Sequence, residues 1–332
     1  MNKVELKATE DLVAKHEVEL KAKLIAIGKQ EVPNGQMEIA RLANVPYDAE
    51  LPVSPIIESV FNVASVEPGE EYDYFVVSPS IKQVYTITNG SVTQTNITAD
   101  SHDLLGFSDY DSEESYIYLK SLLEGRYDPV ALRAEDQQEV MDRLEIKAVL
   151  DLLIAGAVNQ LNSYAFTSGD TKLTFEKIVE MVRSVAKYGT KLVLITGSDV
   201  TTDVTLMDFD TDKQREASLA KAGISEWYKV ESFGFFEDSS SKVVFASDKA
   251  LVVAVSDSKK NKPGHFVRRK VDSVAMGQGV VAKDRLIISD GPAKHVGSDR
   301  KLAISILTYE NFGAVLTNEY TSAVFKRASV YA

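Results

Sequence analysis

The chain has 332 residues, of which 44% are hydrophobic and 26% charged, and its formal net charge at pH 7 is -12. The composition predicts a globular protein of roughly two domains, and the absence of cysteine excludes disulfides, thiolate catalysis, iron–sulfur clusters and Cys-containing zinc sites. The acidic balance argues against a dedicated nucleic-acid binder, because affinity for phosphates comes largely from Lys and Arg.

The N-terminal segment predicts a helix followed by an extended arm. Residues 3–27 combine helically spaced apolar positions with Glu and Lys three to four residues apart, which is typical of a surface or partner-binding helix. No run of seven apolar residues is present, so this is neither a signal peptide nor a membrane span, and we expect a protein made in the cytoplasm. Four prolines then favour an arm that lies on something else: Pro33, Pro46, Pro52 and Pro55.

Residues 70–98 predict a long β-hairpin. They contain three strand-like runs rich in Tyr, Val, Ile and Thr, at residues 72–77, 81–88 and 91–98. Asn89-Gly90 joins the last two runs, and both central residues of a type I′ turn need positive φ. The last run offers only Val92 and Ile97 for burial. Because a two-stranded ribbon is marginal alone in water, we expect it to pack on another subunit.

Residues 129–162 predict one very long helix. Asp128 serves as the cap and Pro129 as the first helical residue, and no proline follows before Gly169. At 1.5 Å per residue the helix would reach about 50 Å. The predicted apolar face consists of Val140, Leu144, Ala148, Leu152 and Ala155, widened by Met141, Val149 and Leu153.

Beyond Gly169 the pattern predicts a compact α/β module. The predicted helices are Thr174–Tyr188, ended by Gly189, and Asp212–Ala222, ended by Gly223. The predicted strands are Lys191–Thr196, Lys242–Phe245, Leu251–Val255, Phe266–Ser273, Val280–Ser289, Leu302–Thr308 and Ala323–Ala328.

Two motifs that suggest a ligand each lack a required residue. The turn at Gly197 follows a buried strand, as in dinucleotide-binding proteins, but residues 200–203 supply no further glycine to approach a phosphate. Residues 208–212 have the acidic spacing of a calcium-binding loop, but Lys213 replaces its glycine and Leu219 its bidentate glutamate. We therefore expect no cofactor and no metal at either position.

The acidic run from residue 109 to 114 has two interpretations. Asp109, Asp111, Glu113 and Glu114 could gather a cation, or they could open a helix that Ser112 caps. We favour the helix start, because few other oxygen ligands are evident. No arrangement of the four histidines supports catalysis, so no catalytic residue is assigned.

A basic run stands out in this acidic chain. It comprises Lys259, Lys260, Lys262, Arg268, Arg269 and Lys270. Genome contact, pairing with an acidic neighbour and a solvated turn all account for such a run, and the solvated turn is the most common case. As a hypothesis, Arg268 and Arg269 assist assembly.

The order of these segments resembles the major capsid protein of tailed bacteriophages, whose fold is shared with encapsulins and with the floor of the herpesvirus capsid. Residues 308–318 followed by 322–326 are similar to the C-terminal strand pair of such proteins. The resemblance implies an α+β fold in five parts. These are an N-terminal helix and arm (1–55), an extended β-hairpin loop (56–105), a peripheral domain with a spine helix (106–169), an axial α/β domain (170–262) and return strands of the peripheral domain (263–332).

The same resemblance implies a structural function. The expected protein is not an enzyme and binds no cofactor or membrane. It self-assembles in the host bacterial cytoplasm into hexamers and pentamers of an icosahedral virion shell that encloses double-stranded DNA, with portal, scaffold or decoration proteins as partners. The candidate intersubunit contacts are Tyr72, Tyr74, Lys82, Tyr85, Asn89, Gly90, Arg268 and Arg269. Some family members cross-link Lys to Asn between subunits, and Lys82 lies in the hairpin, but the sequence identifies no partner for it.

Two alternatives remain open. An encapsulin would have the same fold and would enclose enzymes in place of a genome. A cytoplasmic α/β nucleotide-binding enzyme is suggested only by the strand and turn near Gly197.

Overall fold

A computed structural model describes twelve stretches of the chain: residues 54–75, 102–118, 129–160, 163–165, 172–207, 212–230, 247–256, 262–270, 280–282, 285–288, 294–296 and 301–327. Three predicted features lie outside these stretches. They are the N-terminal helix and arm up to residue 53, the hairpin strands at 81–88 and 91–98, and the strand at 242–245.

Five α-helices and fifteen strands form the described part. The helices are α1 (Pro55–Val60), α2 (Pro129–Asn159), α3 (Phe175–Val185), α4 (Ser198–Thr205) and α5 (Asp212–Lys221). The first eight strands are β1 (Phe61–Val66), β2 (Asp73–Phe75), β3 (His102–Leu104), β4 (Ser108–Asp111), β5 (Ser115–Tyr118), β6 (Ser163–Ala165), β7 (Lys191–Thr196) and β8 (Ile224–Lys229). The remaining strands are β9 (Lys249–Val255), β10 (Gly264–Arg269), β11 (Val280–Ala282), β12 (Arg285–Ile288), β13 (Lys294–Val296), β14 (Lys301–Leu316) and β15 (Ser322–Lys326).

The strands form two main sheets and one short ladder. The large sheet has the order β1-β10-β14-β12-β11, and β4, β5 and β13 also pair with β14. The small sheet has the order β6-β15-β9-β7-β8, and β2 pairs with β3 in a two-stranded ladder. Strand β14 is 16 residues long and organises the large sheet, because five other strands pair with successive parts of it.

Helix α2 confirms the predicted long helix, since its 31 residues span about 46 Å. The predicted apolar face is confirmed in part. Its flank of Met141, Val149 and Leu153 is fully buried, but Val140, which was predicted at its centre, is 51% exposed. Glu145 is also fully buried and lies on the same face of the helix, one turn after Met141. Because a hydrophobicity pattern counts a charged residue as exposed, it does not identify this face as the one that packs on the core.

The main core lies where α2 joins the two sheets. Val149 and Leu153 pack with Phe61 and Phe266 of the large sheet and with Val193 of the small sheet. The opposite face of the small sheet packs on α3, α4 and α5 through a second cluster, which includes Ile178, Met181, Leu194, Val200, Leu219, Val252 and Phe325. Both faces of the small sheet are covered, which explains its continuous apolar strands.

The predicted α/β module is largely confirmed. Helix α3 begins at Phe175, directly after the predicted Thr174, whose hydroxyl accepts a capping hydrogen bond from the Lys177 N–H, and β7 has the predicted bounds. Helix α5 ends before Gly223, which adopts φ +93°. Helix α4 and strand β8 were not predicted. The predicted single strand over 280–289 is wrong, since β11 and β12 are antiparallel neighbours.

The prediction of a helix start at the acidic run is also wrong. Residues 108–111 and 115–118 form β4 and β5, which pair with β14. Between them, the backbone N–H of Ser112 donates to Thr308 O at 2.8 Å, and the Ser112 hydroxyl accepts from the Thr308 N–H at 2.9 Å. Ser112 therefore fixes the link between β4 and β5 to β14, a contact that local capping rules do not predict.

Candidate assembly site

The base of the predicted extended loop is a short ladder in the structure. Strand β2 pairs with β3 from Asp73 opposite Leu104 to Phe75 opposite His102. The sequence had suggested pairing within residues 70–98, but the described partner of β2 lies beyond that hairpin. Four of the candidate contact residues, Lys82, Tyr85, Asn89 and Gly90, lie outside the described residues.

Two other candidates, Tyr72 and Tyr74, fix this base to the large sheet of their own chain. Tyr74 is buried against Leu105 and Val267, and its hydroxyl donates to Asp103 at 3.3 Å. The Tyr72 hydroxyl lies 3.1 Å from His265 Nδ1 in β10. Burial raises the pKa of Tyr72 and lowers the pKa of His265. A neutral His265 can therefore accept the hydrogen bond from Tyr72.

Arg269 also belongs to the loop base. Its guanidinium lies 3.9 Å from the centre of the Phe107 ring, and Nη2 donates to Glu70 O at 2.9 Å. The solvated-turn interpretation of the basic run is therefore wrong at Arg269, which contacts its own chain on both sides of the loop. Lys262 likewise donates to the carbonyl oxygens of Glu58 and Phe61, at 2.6 and 3.1 Å.

The solvated-turn interpretation is also wrong at Arg268, because Arg268 is only 3% exposed. It belongs to a charge cluster of five side chains, which we define as Asp142 and Glu145 of α2, Arg268 of β10, Arg285 of β12 and Glu310 of β14. The expectation that Arg268 reaches a neighbouring subunit does not fit a side chain buried in its own. Arg268 does pair with acidic residues, but these are Glu145 and Glu310 of its own chain and not residues of a neighbouring subunit.

The charge cluster joins the long helix to three strands of the large sheet. Arg268 binds Glu145 through two hydrogen bonds, of 2.6 and 2.7 Å. Arg285 donates from Nε to Glu310 at 2.8 Å and from Nη2 to Asp142 at 2.7 Å. Two-pronged arginine–carboxylate pairs are strong and directional, so they fix the position of the helix along the sheet.

The two buried glutamates have opposite electrostatic environments. Burial raises the pKa of Glu310 well above its usual range, and the adjacent Glu145 raises it further. Burial also acts to raise the pKa of Glu145, but the hydrogen bonds it accepts and the charges of Arg268 and Arg285 outweigh burial and lower it. Glu145 therefore holds the negative charge more readily than Glu310.

A neutral network extends the joint by two turns of the helix. Gln137 of α2 donates from Nε2 to Ile306 O at 2.5 Å, and it accepts from the Thr308 hydroxyl at 2.9 Å. Gln137 is 3% exposed and Thr308 fully buried. Buried polar groups of this kind require exact partners, so the network specifies one register between α2 and β14.

A groove opens beside this joint, between α2 and the strands β4 and β14. Its volume is about 360 Å³, and its walls include Ala148 and Leu152 of the helix. On the strand side, Tyr110 and Phe312 stack with ring centres 4.4 Å apart. Ala148 and Leu152, which belong to the apolar face predicted from the sequence, thus line this half-open groove and also pack against the main core.

The turn that suggested a nucleotide site is closed by its own chain. Gly197 precedes α4, and its N–H donates to Lys249 O at 2.9 Å. The N–H groups of Asp199 and Val200 both donate to Ser247 O, at 3.1 and 3.3 Å. Donors that would cradle a phosphate are therefore already bonded.

Within the described stretches, no three His, Asp or Glu side chains form a group that could hold a metal ion. The helices of those stretches include none long and apolar enough to cross a membrane.

Comparisons with known proteins find similarity at the level of structure. No family model and no curated protein matches the sequence. A solved structure from Mycobacterium phage Bobi matches with a TM-score of 0.51 and 12% identity, covering 85% of this chain and 94% of that one. One from Microbacterium phage Oxtober96 matches with a TM-score of 0.50 and 15% identity, covering 83% and 92%. Structural neighbours are predominantly phage major capsid proteins, with encapsulins and a virus-like particle among them.

Proposed function

We propose, from the premise that this chain has the fold of tailed-bacteriophage major capsid proteins, that it is the structural subunit of an icosahedral shell. In this proposal the subunits form hexamers and pentamers in the bacterial cytoplasm, and the closed shell encloses double-stranded DNA. The observation that carries the proposal is the extent of the match to the Bobi structure, which covers 85% of this chain and 94% of that one. The likeness therefore concerns the whole fold and not a shared module.

The five parts expected from the sequence give the subunit its proposed layout. The late strands β10 and β14 support this layout, because they return to pair with β1, β4 and β5 from the first third of the chain. The peripheral domain is thus built from both ends of the described chain around α2. The proposed axial domain at residues 170–262 contains strands β7, β8 and β9 of the small sheet with helices α3, α4 and α5, and strands β6 and β15 complete that sheet from outside these bounds.

The loop between β2 and β3 is the proposed contact with a neighbouring subunit. Its base is fixed in its own chain by Tyr72, Tyr74 and Arg269. A fixed base sets where residues 76–101 leave and rejoin the subunit, which would let them meet the same position on every neighbour. Lys82, Tyr85, Asn89 and Gly90 remain the proposed contact residues within that segment, whereas Arg268 acts inside its own subunit.

Helix α2 is the proposed strut of the subunit. The charge cluster and the Gln137 network hold it against β10, β12 and β14. Its opposite end contacts the last strand, where the Ser322 hydroxyl donates to Leu153 O at 2.8 Å. A helix attached to the large sheet and to β15 of the small sheet would carry mechanical load between the two.

A deletion tests the proposal directly. Replacing residues 76–101 with a short Gly/Ser linker leaves β2, β3 and the loop base intact, so the subunit should fold and stay soluble. We expect wild-type protein to sediment as large particles and the deletion variant to sediment as small oligomers or monomers. Particles of normal size from the variant would contradict the proposed role of the loop.

The contents of the particles distinguish the two shell functions. A genome-enclosing shell takes up double-stranded DNA only with its packaging partners, so particles from the isolated gene should contain no defined protein cargo. Co-purification of one host enzyme in fixed ratio would favour an encapsulin instead. Nucleotide binding by wild-type monomers, without particles, would favour the enzyme alternative.

A further inference from the structure

The charge cluster contains more acid than base. Among the described residues, three carboxyl groups surround two guanidinium groups, and the side chains of Glu145, Arg285 and Glu310 are each at most 1% exposed. Asp142 is the only member with substantial access to water, at 38%. An uncompensated charge in such a place is costly, so a cluster with one excess carboxyl group favours keeping a proton.

One oxygen atom shows where that proton belongs. Glu310 Oε2 accepts from Arg285 Nε at 2.8 Å, but the buried Oε1 accepts no hydrogen bond from the described residues. Arg268 Nε lies 3.3 Å from Oε1, but it is already bonded to Glu145 Oε1 at 2.6 Å. Two carboxyl oxygens therefore compete for one N–H. A proton on Oε1 would turn Glu310 into a donor toward Glu145.

We propose that Glu310 is protonated at neutral pH and shares this proton with Glu145, which makes the joint between α2 and the large sheet a latch that weakens as the pH rises. The inference concerns the fold of the subunit and does not depend on what the shell encloses. The charged groups that face Glu310 are Asp142 and Glu145 from α2, Arg268 from β10 and Arg285 from β12. From β4 the facing residue is Tyr110, its register partner.

The direction of the pH effect follows from the protonation states. The raised pKa of Glu310 means that the folded chain holds a proton that the unfolded chain releases above the ordinary carboxyl pKa. Stability from this group is complete below that ordinary pKa and falls as the pH rises toward the pKa of folded Glu310. In that window one proton corresponds to a tenfold fall of the folding equilibrium constant for each pH unit.

Glu310→Gln tests the latch, because an amide can accept from Arg285 and donate to Glu145 without titrating. Full-length wild type, Glu310→Gln and the control Glu216→Gln, at an exposed site on α5, are unfolded with denaturant between pH 5 and 9. We expect the wild type and the control to lose close to tenfold in the equilibrium constant for each pH unit relative to Glu310→Gln. Equal pH slopes for all three proteins would overturn the proposal. A water that bridges Glu310 and Glu145 and leaves Glu310 ionised would produce that result.

Infrared spectroscopy provides a readout that does not require the variant to fold. Labelling glutamate with ¹³C distinguishes the absorption of a protonated Glu from that of a protonated Asp142, and the measurement works whether the chain is assembled or not. We expect a protonated-carboxyl absorption from glutamate at pH 7.5 in the wild type, absent from Glu310→Gln. A wild-type spectrum without that absorption would overturn the proposal even if the variant failed to fold.

Discussion

Glu145 in the middle of α2 and Arg268 in β10 form a buried ion pair held by two hydrogen bonds, although 123 residues separate them in the chain. The pair places a charge in the buried row of the helix and another in the central part of the large sheet. Each would be unacceptable there without the other, so the two residues specify how the helix and sheet come together.

Removing one member of this pair should therefore destabilise the subunit severely. We expect Arg268→Met to lower the free energy of unfolding by about 3–5 kcal/mol, because Glu145 loses its partner while staying buried. The double variant Glu145→Met/Arg268→Met should recover much of that loss. The matched control is Arg143→Met, which removes a surface ion pair with Glu139 and should change stability by less than about 1 kcal/mol. Urea unfolding below the assembly concentration measures all three, and equal losses for the single and double variants would contradict the account.

Arg269 should matter for assembly more than for folding. Arg269→Gln removes the contact with the Phe107 ring and weakens the bond to Glu70 O, which loosens the base of the extended loop. We expect a soluble subunit whose stability changes by about 1 kcal/mol or less, with a lower yield of closed particles. Sedimentation of equal amounts of variant and wild type measures that yield. An unchanged yield would show that the loop base does not need Arg269.

The contact between Gly313 and Gly106 should tolerate no side chain at Gly313. A Cβ built on Gly313 would lie 2.4 Å from Gly106 O, whereas a Cβ on Gly106 meets no atom within 4 Å. We expect Gly313→Ala to destabilise the subunit by about 1–3 kcal/mol, as overpacking does. Gly106→Ala is the matched control and should stay within about 0.5 kcal/mol of wild type. Thermal unfolding of the two variants side by side tests this, and similar melting temperatures would contradict it.

The hydrogen bond between Tyr72 and neutral His265 should stabilise the loop base. Burial lowers the pKa of His265, so the folded chain disfavours its protonation, and stability from this group is lost as the pH falls below the ordinary histidine pKa. We expect Tyr72→Phe to cost about 1 kcal/mol at pH 7.5, because the hydrogen bond to Nδ1 is lost. Urea unfolding of the variant and the wild type at pH 7.5 measures this cost, and equal stability of the two proteins would count against it.

The elements that sequence predicted well are those whose signals are local. Local propensity, capping and periodicity account for the Pro129 start of α2, for its great length to within three residues, for the Thr174 cap of α3 and for the bounds of β7. The order of segments was enough to identify the capsid fold, which the structural matches confirm.

The features that sequence missed depend on distant partners. Nothing close in sequence to Glu145 or Arg268 indicates that they are buried, because each is compensated by the other across α2 and β10. The acidic run at residue 109 has the pattern of a helix start, but its pairing with the distant strand β14 makes it a strand. The division of residues 280–289 into β11 and β12 likewise depends on pairing that no periodicity in a short window reveals. These features therefore depend on contacts between residues far apart in sequence, which local patterns do not predict.

The central claim is that this chain completes its structure only with copies of itself. Electron microscopy of the purified full-length protein at high concentration tests it most directly. The account predicts closed particles of uniform diameter. A compact monomer under the same conditions, with residues 76–101 packed against its own chain, would contradict it.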